Sequence, residues 1–194
     1  MDLPAARPLP KDFYRRPAEL LAPLLLNKLL VVADGRAGRI VEVEAYAGDD
    51  PASHAFRGRT ARNATMFGPA GHLYVYFTYG MHWCANAVCG QDGEGTAVLL
   101  RALEPLAGLD LMWQARPRAR SERDLCSGPA KLTQALGIAG GADGADLASG
   151  AVRILEDGTP PPSSPVVTTR IGITRAVDIP WRWYVPANPH VSRP

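Results

Sequence analysis

Apolar positions along this chain fall into short blocks separated by stretches rich in glycine and proline, and each block has its own period. Leu20, Leu21, Leu24 and Leu25 recur at helical spacing after Pro17, a residue suited to a first helical turn. Pro23 lies inside that stripe and has no N–H to give, so the helix is predicted to be short or kinked. Val31 and Val32 run through the turn formers Asp34 and Gly35 into residues 39–46, where the period falls to two. There Ile40, Glu42, Glu44 and Tyr46 share one face of a strand, and Val41, Val43 and Ala45 share the other. Two more apolar runs, 73–78 and 83–88, flank Tyr79, Gly80 and Met81 and predict a β-hairpin. Residues 97–103 predict a third strand, with Arg101 in otherwise apolar company.

The second half reads more loosely. A helix is predicted from beyond Pro105 to about Ala115, and another with Ser127 as N-cap, Pro129 in its first turn and Gly137 as its stop. Residues 140–150 and 158–165 read as loops, and 166–173 and 181–185 as late strands. Strands cluster instead of alternating with helices, which predicts an α+β fold over a doubly wound one. The 194 residues suffice for one core and are too few for two ordinary domains. The expected layout is a flexible N-terminal arm over residues 1–15 and a single domain over 16–194.

Composition excludes more than it selects. A net charge of +2, from 21 basic and 19 acidic residues, is too weak for a uniformly cationic nucleic-acid binder, so any such contact must be local. The cations are nearly all arginine, whose planar fork suits phosphate and base edges. The three cysteines, Cys84, Cys89 and Cys126, have neither metal-ligand spacing nor an even count for disulfides, so they read as reduced core fillers with no metal site. No apolar run is long enough for a bilayer, and the proline-rich start lacks a signal-peptide core, so a soluble intracellular protein is expected.

The chemistry concentrates between Glu42 and Arg101. Residues 49–71 form a long aperiodic loop holding His54, Arg57, Arg59, Arg62 and Asn63, and loops of that length are usually functional. Glu44 and Tyr46, two apart on one strand face, would set a general base beside a stacking ring. Spacing does not separate Glu44 from Glu42, and tyrosines such as Tyr74 and Tyr76 pack in sheets more often than they hold bases. Arg101 on an apolar strand needs a partner, which a structural ion pair would supply as well as a catalytic one. Tyr79 at the hairpin tip is a candidate wedge between bases. Arginines 116–123 read either as a solvated loop or as phosphate contacts.

The segments Arg39-Ile-Val-Glu-Val-Glu-Ala-Tyr46, Arg62-Asn63 with Met66-Phe67, Leu73-Tyr-Val-Tyr-Phe-Thr-Tyr-Gly-Met81, Val98-Leu-Leu-Arg-Ala-Leu-Glu-Pro105 and Leu125-Cys-Ser-Gly-Pro-Ala-Lys-Leu132 together resemble the alkyladenine (3-methyladenine) DNA glycosylases of the mammalian type, a family with bacterial members. The resemblance runs from about Arg16 to Ser192. It implies a curved antiparallel sheet with a protruding hairpin that enters the minor groove. It further implies Glu44 as the base that activates water, Arg101 as its helper, Tyr46, His54 and Tyr76 as walls around a flipped base, and Leu99 in the floor. Asn86 would obstruct the amino group of normal guanine, and Tyr79, with Met81, Arg59 and Arg62, would contact DNA.

The implied activity is base-excision repair: hydrolysis of the glycosidic bond of alkylated or deaminated purines in double-stranded DNA by a monomer without cofactor or membrane association, leaving an abasic site. Such an enzyme works in the cytoplasm at the nucleoid in a bacterium, or in the nucleus of a eukaryote. Two alternatives are a bifunctional glycosylase/lyase acting through Lys131 and a non-catalytic nucleic-acid-binding module.

Overall fold

The computed structural model describes residues 5–78 and 80–193. Tyr79, the expected wedge, lies outside the described residues.

Strands β1 (Arg7–Pro8), β2 (Leu29–Val32), β3 (Ala37–Tyr46), β4 (Leu73–Thr78), β5 (His82–Cys89), β6 (Thr96–Ala107), β7 (Val152–Glu156), β8 (Val166–Thr168) and β9 (Arg182–Tyr184) join in one sheet. Its main path runs β1-β7-β2-β3-β6-β5-β4, every pairing is antiparallel, and β8 and β9 attach beside β3. Helices α1 (Lys11–Tyr14), α2 (Ala18–Leu25), α3 (Leu109–Ala115), α4 (Glu122–Cys126) and α5 (Pro129–Leu136) complete a single α+β domain around a curved antiparallel sheet. Leu21, Leu25, Leu132 and Ala135 from the helices pack in the main core with Val43, Ala45, Ala85, Ala87, Val98 and Leu100 from one sheet face.

The opposite face is freed by an irregularity in β3. Ile40 pairs with Leu103, Glu42 with Ala102, and Val43 with Leu100, so Val41 on β3 and Arg101 on β6 are each passed over. Such bulges bend and twist a strand and re-aim its side chains. Strict alternation puts Ile40 with Glu42 and Glu44; the bulge returns it to the main core with Val43 and Ala45. At the same point β3 changes its second neighbour, pairing with β2 over Ala37–Arg39 and with β9 over Glu42–Glu44.

Other expectations need adjusting. The expected arm is packed from residue 7 onward: β1 pairs with β7, and Leu9 and Tyr14 are fully buried. The buried stripe of α2 is Ala18, Leu21, Ala22 and Leu25, with Leu20 59% exposed, because the chain enters the helix from Pro17 with Ala18 toward the core. Gly128, not Ser127, precedes α5, while Gly137 ends it at φ 67°, a left-handed position that favours glycine. Periodicity over so few residues did not reveal α4 or β7, and much of 166–185 is loop between the short β8 and β9.

Candidate active site

Pairing across the sheet lines up four residues from distant parts of the chain. Glu44 on β3 opposes Leu99 on β6, Leu99 opposes Asn86 on β5, and Asn86 opposes Tyr74 on β4. Directly paired residues project from the same face, so these four make one transverse row on the face away from the main core. Two positions along the strands, Tyr46, Arg101, Cys84 and Tyr76 join them. Loop residues Pro51–Arg57 and Ile171–Arg175 close over this face and leave a cavity of about 670 Å³, within the range of small-molecule sites.

Partners separate the two carboxylates that sequence left equivalent. Glu42 is fully buried and saturated: it accepts from Arg101 Nε at 3.1 Å, Arg182 Nε at 2.7 Å, Ser192 Oγ at 2.9 Å and the Ser192 N–H at 2.7 Å. Glu44, also fully buried, stands directly behind the cavity wall. Its Oε1 accepts the Ile171 N–H at 2.7 Å, and its Oε2 accepts the Tyr46 hydroxyl at 2.9 Å and lies 3.3 Å from an Arg101 terminal nitrogen. Tyr46, Arg101 and Ile171 all line the cavity, so every group holding Glu44 is also part of its wall. Burial raises the Glu44 carboxyl above its usual range, against the opposing pull of Arg101, the Ile171 N–H and the Tyr46 hydroxyl. A raised carboxylate at a cavity is the condition for proton transfer near neutral pH.

The aromatic walls are uncharged at neutral pH. His54 meets Tyr76 edge-on at 4.4 Å, Tyr74 stacks beside Tyr76 at 5.5 Å, and His54 Nδ1 lies 3.2 Å from the Tyr74 hydroxyl. Burial, aided by the charge of Arg62, lowers the His54 pKa, so the ring is neutral. Burial pushes the Tyr74 phenol up to about 12 and raises Tyr46 and Tyr76 as well. Asn86 is buried with its amide donating to the Tyr74 carbonyl at 3.2 Å, which fixes the orientation it presents to the cavity.

Glu44, Arg101, Tyr46, His54, Tyr76, Asn86 and Leu99, the expected catalytic and base-contacting set, thus converge on one cavity. Of the expected DNA contacts, Arg59, Arg62 and Met81 lie outside its lining. Arg59 is exposed, Met81 is 67% exposed beside the hairpin tip, and Arg62 donates to the Phe77 carbonyl at 3.0 Å with its guanidinium 6.0 Å from the Tyr76 ring. Cys84 lines the cavity, whereas Cys89 and Cys126 are core residues as expected. The late strand expected over 166–173 ends at Thr168, and Ile171–Arg175 is instead a loop that walls the cavity, a role that local periodicity does not signal. Sequence reasoning also gave no role to Asn63, whose side chain donates to the carbonyls of His54 and Gly58 at 2.8 and 3.1 Å and so shapes the loop bearing His54.

Lys131 does not line the cavity; its ammonium is paired with Asp124. Among the described residues no helix is long and apolar enough to cross a membrane.

A curved sheet holding a buried carboxylate behind an aromatic slot is a setting for acid–base chemistry on a flat ring. The family profile described as Methylpurine-DNA glycosylase matches residues 12–189, and the chain belongs to that family. It is a DNA glycosylase of base-excision repair. It is 62% identical over 189 residues to a Burkholderia lata protein named "Putative 3-methyladenine DNA glycosylase", with 96% of this chain and 91% of the relative covered. Proteins of the same name from Methanoculleus marisnigri and Agrobacterium fabrum are 52% and 49% identical, covering 95% of this chain and 98% and 92% of their own lengths.

Proposed function

We propose that this enzyme hydrolyses the N-glycosidic bond of alkylated or deaminated purines, of the 3-methyladenine, 7-methylguanine and hypoxanthine type, after flipping the nucleotide out of duplex DNA. The observation that carries this reading is Glu44: a fully buried carboxylate gripped by three groups that all line an aromatic cavity. The base leaves the stack and enters the slot formed by Tyr46, His54 and Tyr76. Glu44 takes a proton from water as the water oxygen bonds to C1′ and the C1′–N bond breaks, its electron pair leaving with the purine. Arg101 holds Glu44 for that step.

Neutral aromatic walls attract a cationic N-alkylpurine by roughly 0.5 to 2 kcal/mol per well-placed ring, which normal purines do not gain. An imidazolium at His54 would repel such a base, and the lowered pKa of His54 removes that obstacle. The name shared by the relatives supports 3-methyladenine as one substrate.

In this reading the enzyme acts as a monomer and leaves the strand uncut, and the absence of strand cleavage is supported by Lys131 being paired with Asp124 and not lining the cavity. Tyr79 and Met81 occupy the gap in the duplex while Arg59 and Arg62 meet phosphates.

The test is Glu44→Gln assayed on duplex oligonucleotides carrying one alkylpurine. Excision is expected to fall by about 10² to 10⁴-fold with lesion binding retained; full excision by this variant would falsify the mechanism. Lys131→Ala is expected to excise at the wild-type rate, and borohydride is expected to trap no adduct with either protein.

A further inference from the structure

Behind the cavity lies an ion pair that no step above uses. Arg170 and Asp50 pair with both side chains wholly removed from solvent, and a second contact, from Arg170 to Asp50 Oδ1, spans 3.1 Å. The same guanidinium donates to the Ala45 carbonyl of β3 at 2.9 Å and lies over the rings of Tyr46, at 4.7 Å, and Trp181, at 5.5 Å. Asp50 Oδ1 also accepts the Ala52 N–H at 2.9 Å, at the start of the loop that carries His54. Three wall segments therefore meet at one pair: β3 with Tyr46, the loop from Asp50, and the segment that begins at Ile171.

Burying two charges is costly, and a buried pair often stabilises a fold no better than apolar residues of like size would. A pair that fixes geometry has another use. The residue after Arg170 is Ile171, whose N–H holds Glu44 Oε1 at 2.7 Å, and the ring that Arg170 backs belongs to Tyr46, whose hydroxyl holds Glu44 Oε2 at 2.9 Å. Both hydrogen bonds to the carboxylate other than the Arg101 contact thus depend on where Arg170 sits.

We propose that Arg170, anchored by Asp50, is a positioning residue for the reaction: it sets the Ile171 amide and the Tyr46 ring on Glu44 without touching substrate. This rests on the reading of Glu44 as the base.

The charged and titratable groups facing Glu44 are Glu42 and Tyr46 on β3 and Arg101 on β6, and Arg182 stands opposite it on β9. Replacing Arg170 leaves Glu42, Arg101 and Arg182 in place. What changes is the amide bond and the set of the tyrosine, both of which favour the ionised carboxylate.

The experiment compares Arg170→Met, Arg170→Lys and Asp50→Asn with the full-length parent in single-turnover excision from alkylpurine duplexes across pH. In parallel, a ¹³C-carboxyl NMR titration follows Glu44, assigned by its loss in Glu44→Gln. Arg170→Met is expected to lower the single-turnover rate at least tenfold, with affinity for undamaged duplex within twofold of the parent. It is also expected to move both the acid limb and the NMR titration of Glu44 to higher pH. Asp50→Asn should move them the same way, and the double variant should do little more than either single one.

If Arg170→Met does not fold, Arg170→Lys carries the test, because lysine keeps the charge opposite Asp50 but lacks the planar face that backs Tyr46. A rate loss that follows the melting temperature, with the Glu44 titration unmoved in the variants that fold, overturns the positioning role. Full excision by Glu44→Gln overturns the assignment of the base instead. The NMR titration still reports whether Arg170 sets the carboxylate in that case, so the two failures are distinct.

Discussion

At the scale of the residue, Glu42 and Glu44 show how partners decide chemistry. They sit two apart on one strand and are equally buried, yet one carboxylate is saturated by two arginines and Ser192 while the other is held against a cavity wall. No spacing rule distinguishes them, since the distinction is made by Ser192, Arg182 and Ile171, each more than a hundred residues away in sequence. The raised pKa of Glu44 has a sign that can be checked. A general base works only when ionised, so with Glu44 as the proposed base kcat/KM is expected to be full above the Glu44 pKa and to fall about tenfold per pH unit below it. The limb should lie above the ordinary 4.5 of a glutamate, and a pH–rate profile in excess enzyme measures it.

Asn86 gives a second prediction at this scale. It lines the cavity with its amide held by the Tyr74 carbonyl, and its proposed role is to obstruct the amino group of normal guanine. Asn86→Ala should raise the excision of normal guanine relative to alkylated purine by about tenfold, an effect of the size expected when one steric contact in a binding site is removed, and competition between the two bases in one duplex reads that ratio.

At the scale of the element, the strands of the first half were legible because hydrophobic alternation is long there, and the hairpin of β4 and β5 stands where the pattern put it. What the pattern could not express is a bulge, because one passed-over residue inverts the facing of everything before it. Ile40 shows that inversion, and it falls where β3 passes from pairing with β2 to pairing with β9. In α2 the apolar run is longer than the face it buries, so composition alone overstates the stripe. Leu21→Ala should cost about 2 to 5 kcal/mol and Leu20→Ala less than about 0.5 kcal/mol, as denaturant unfolding of the two variants would measure.

At the scale of the whole molecule, a net charge of +2 means that attraction to DNA must come from local groups of cations and not from the overall charge. Arg59 and Arg62 are exposed, and as the proposed phosphate contacts each replaced by alanine should lower the slope of log affinity against log salt by about one, with little change in lesion preference. Titrations of damaged and undamaged duplexes at several salt concentrations report both quantities.

Sequence by itself determined the strand-rich α+β character, the hairpin and a candidate set of residues that the structure gathers around one cavity, because these rest on local periodicity and on long motifs in order. Only the tertiary structure decided which partners hold Glu42 and which hold Glu44, that residues 7–14 pack against the sheet, and that Arg170 and Asp50 meet beneath the site. Those outcomes depend on pairings between chain segments up to 150 residues apart, and the burial that gives such contacts their strength exists only once the sheet has closed.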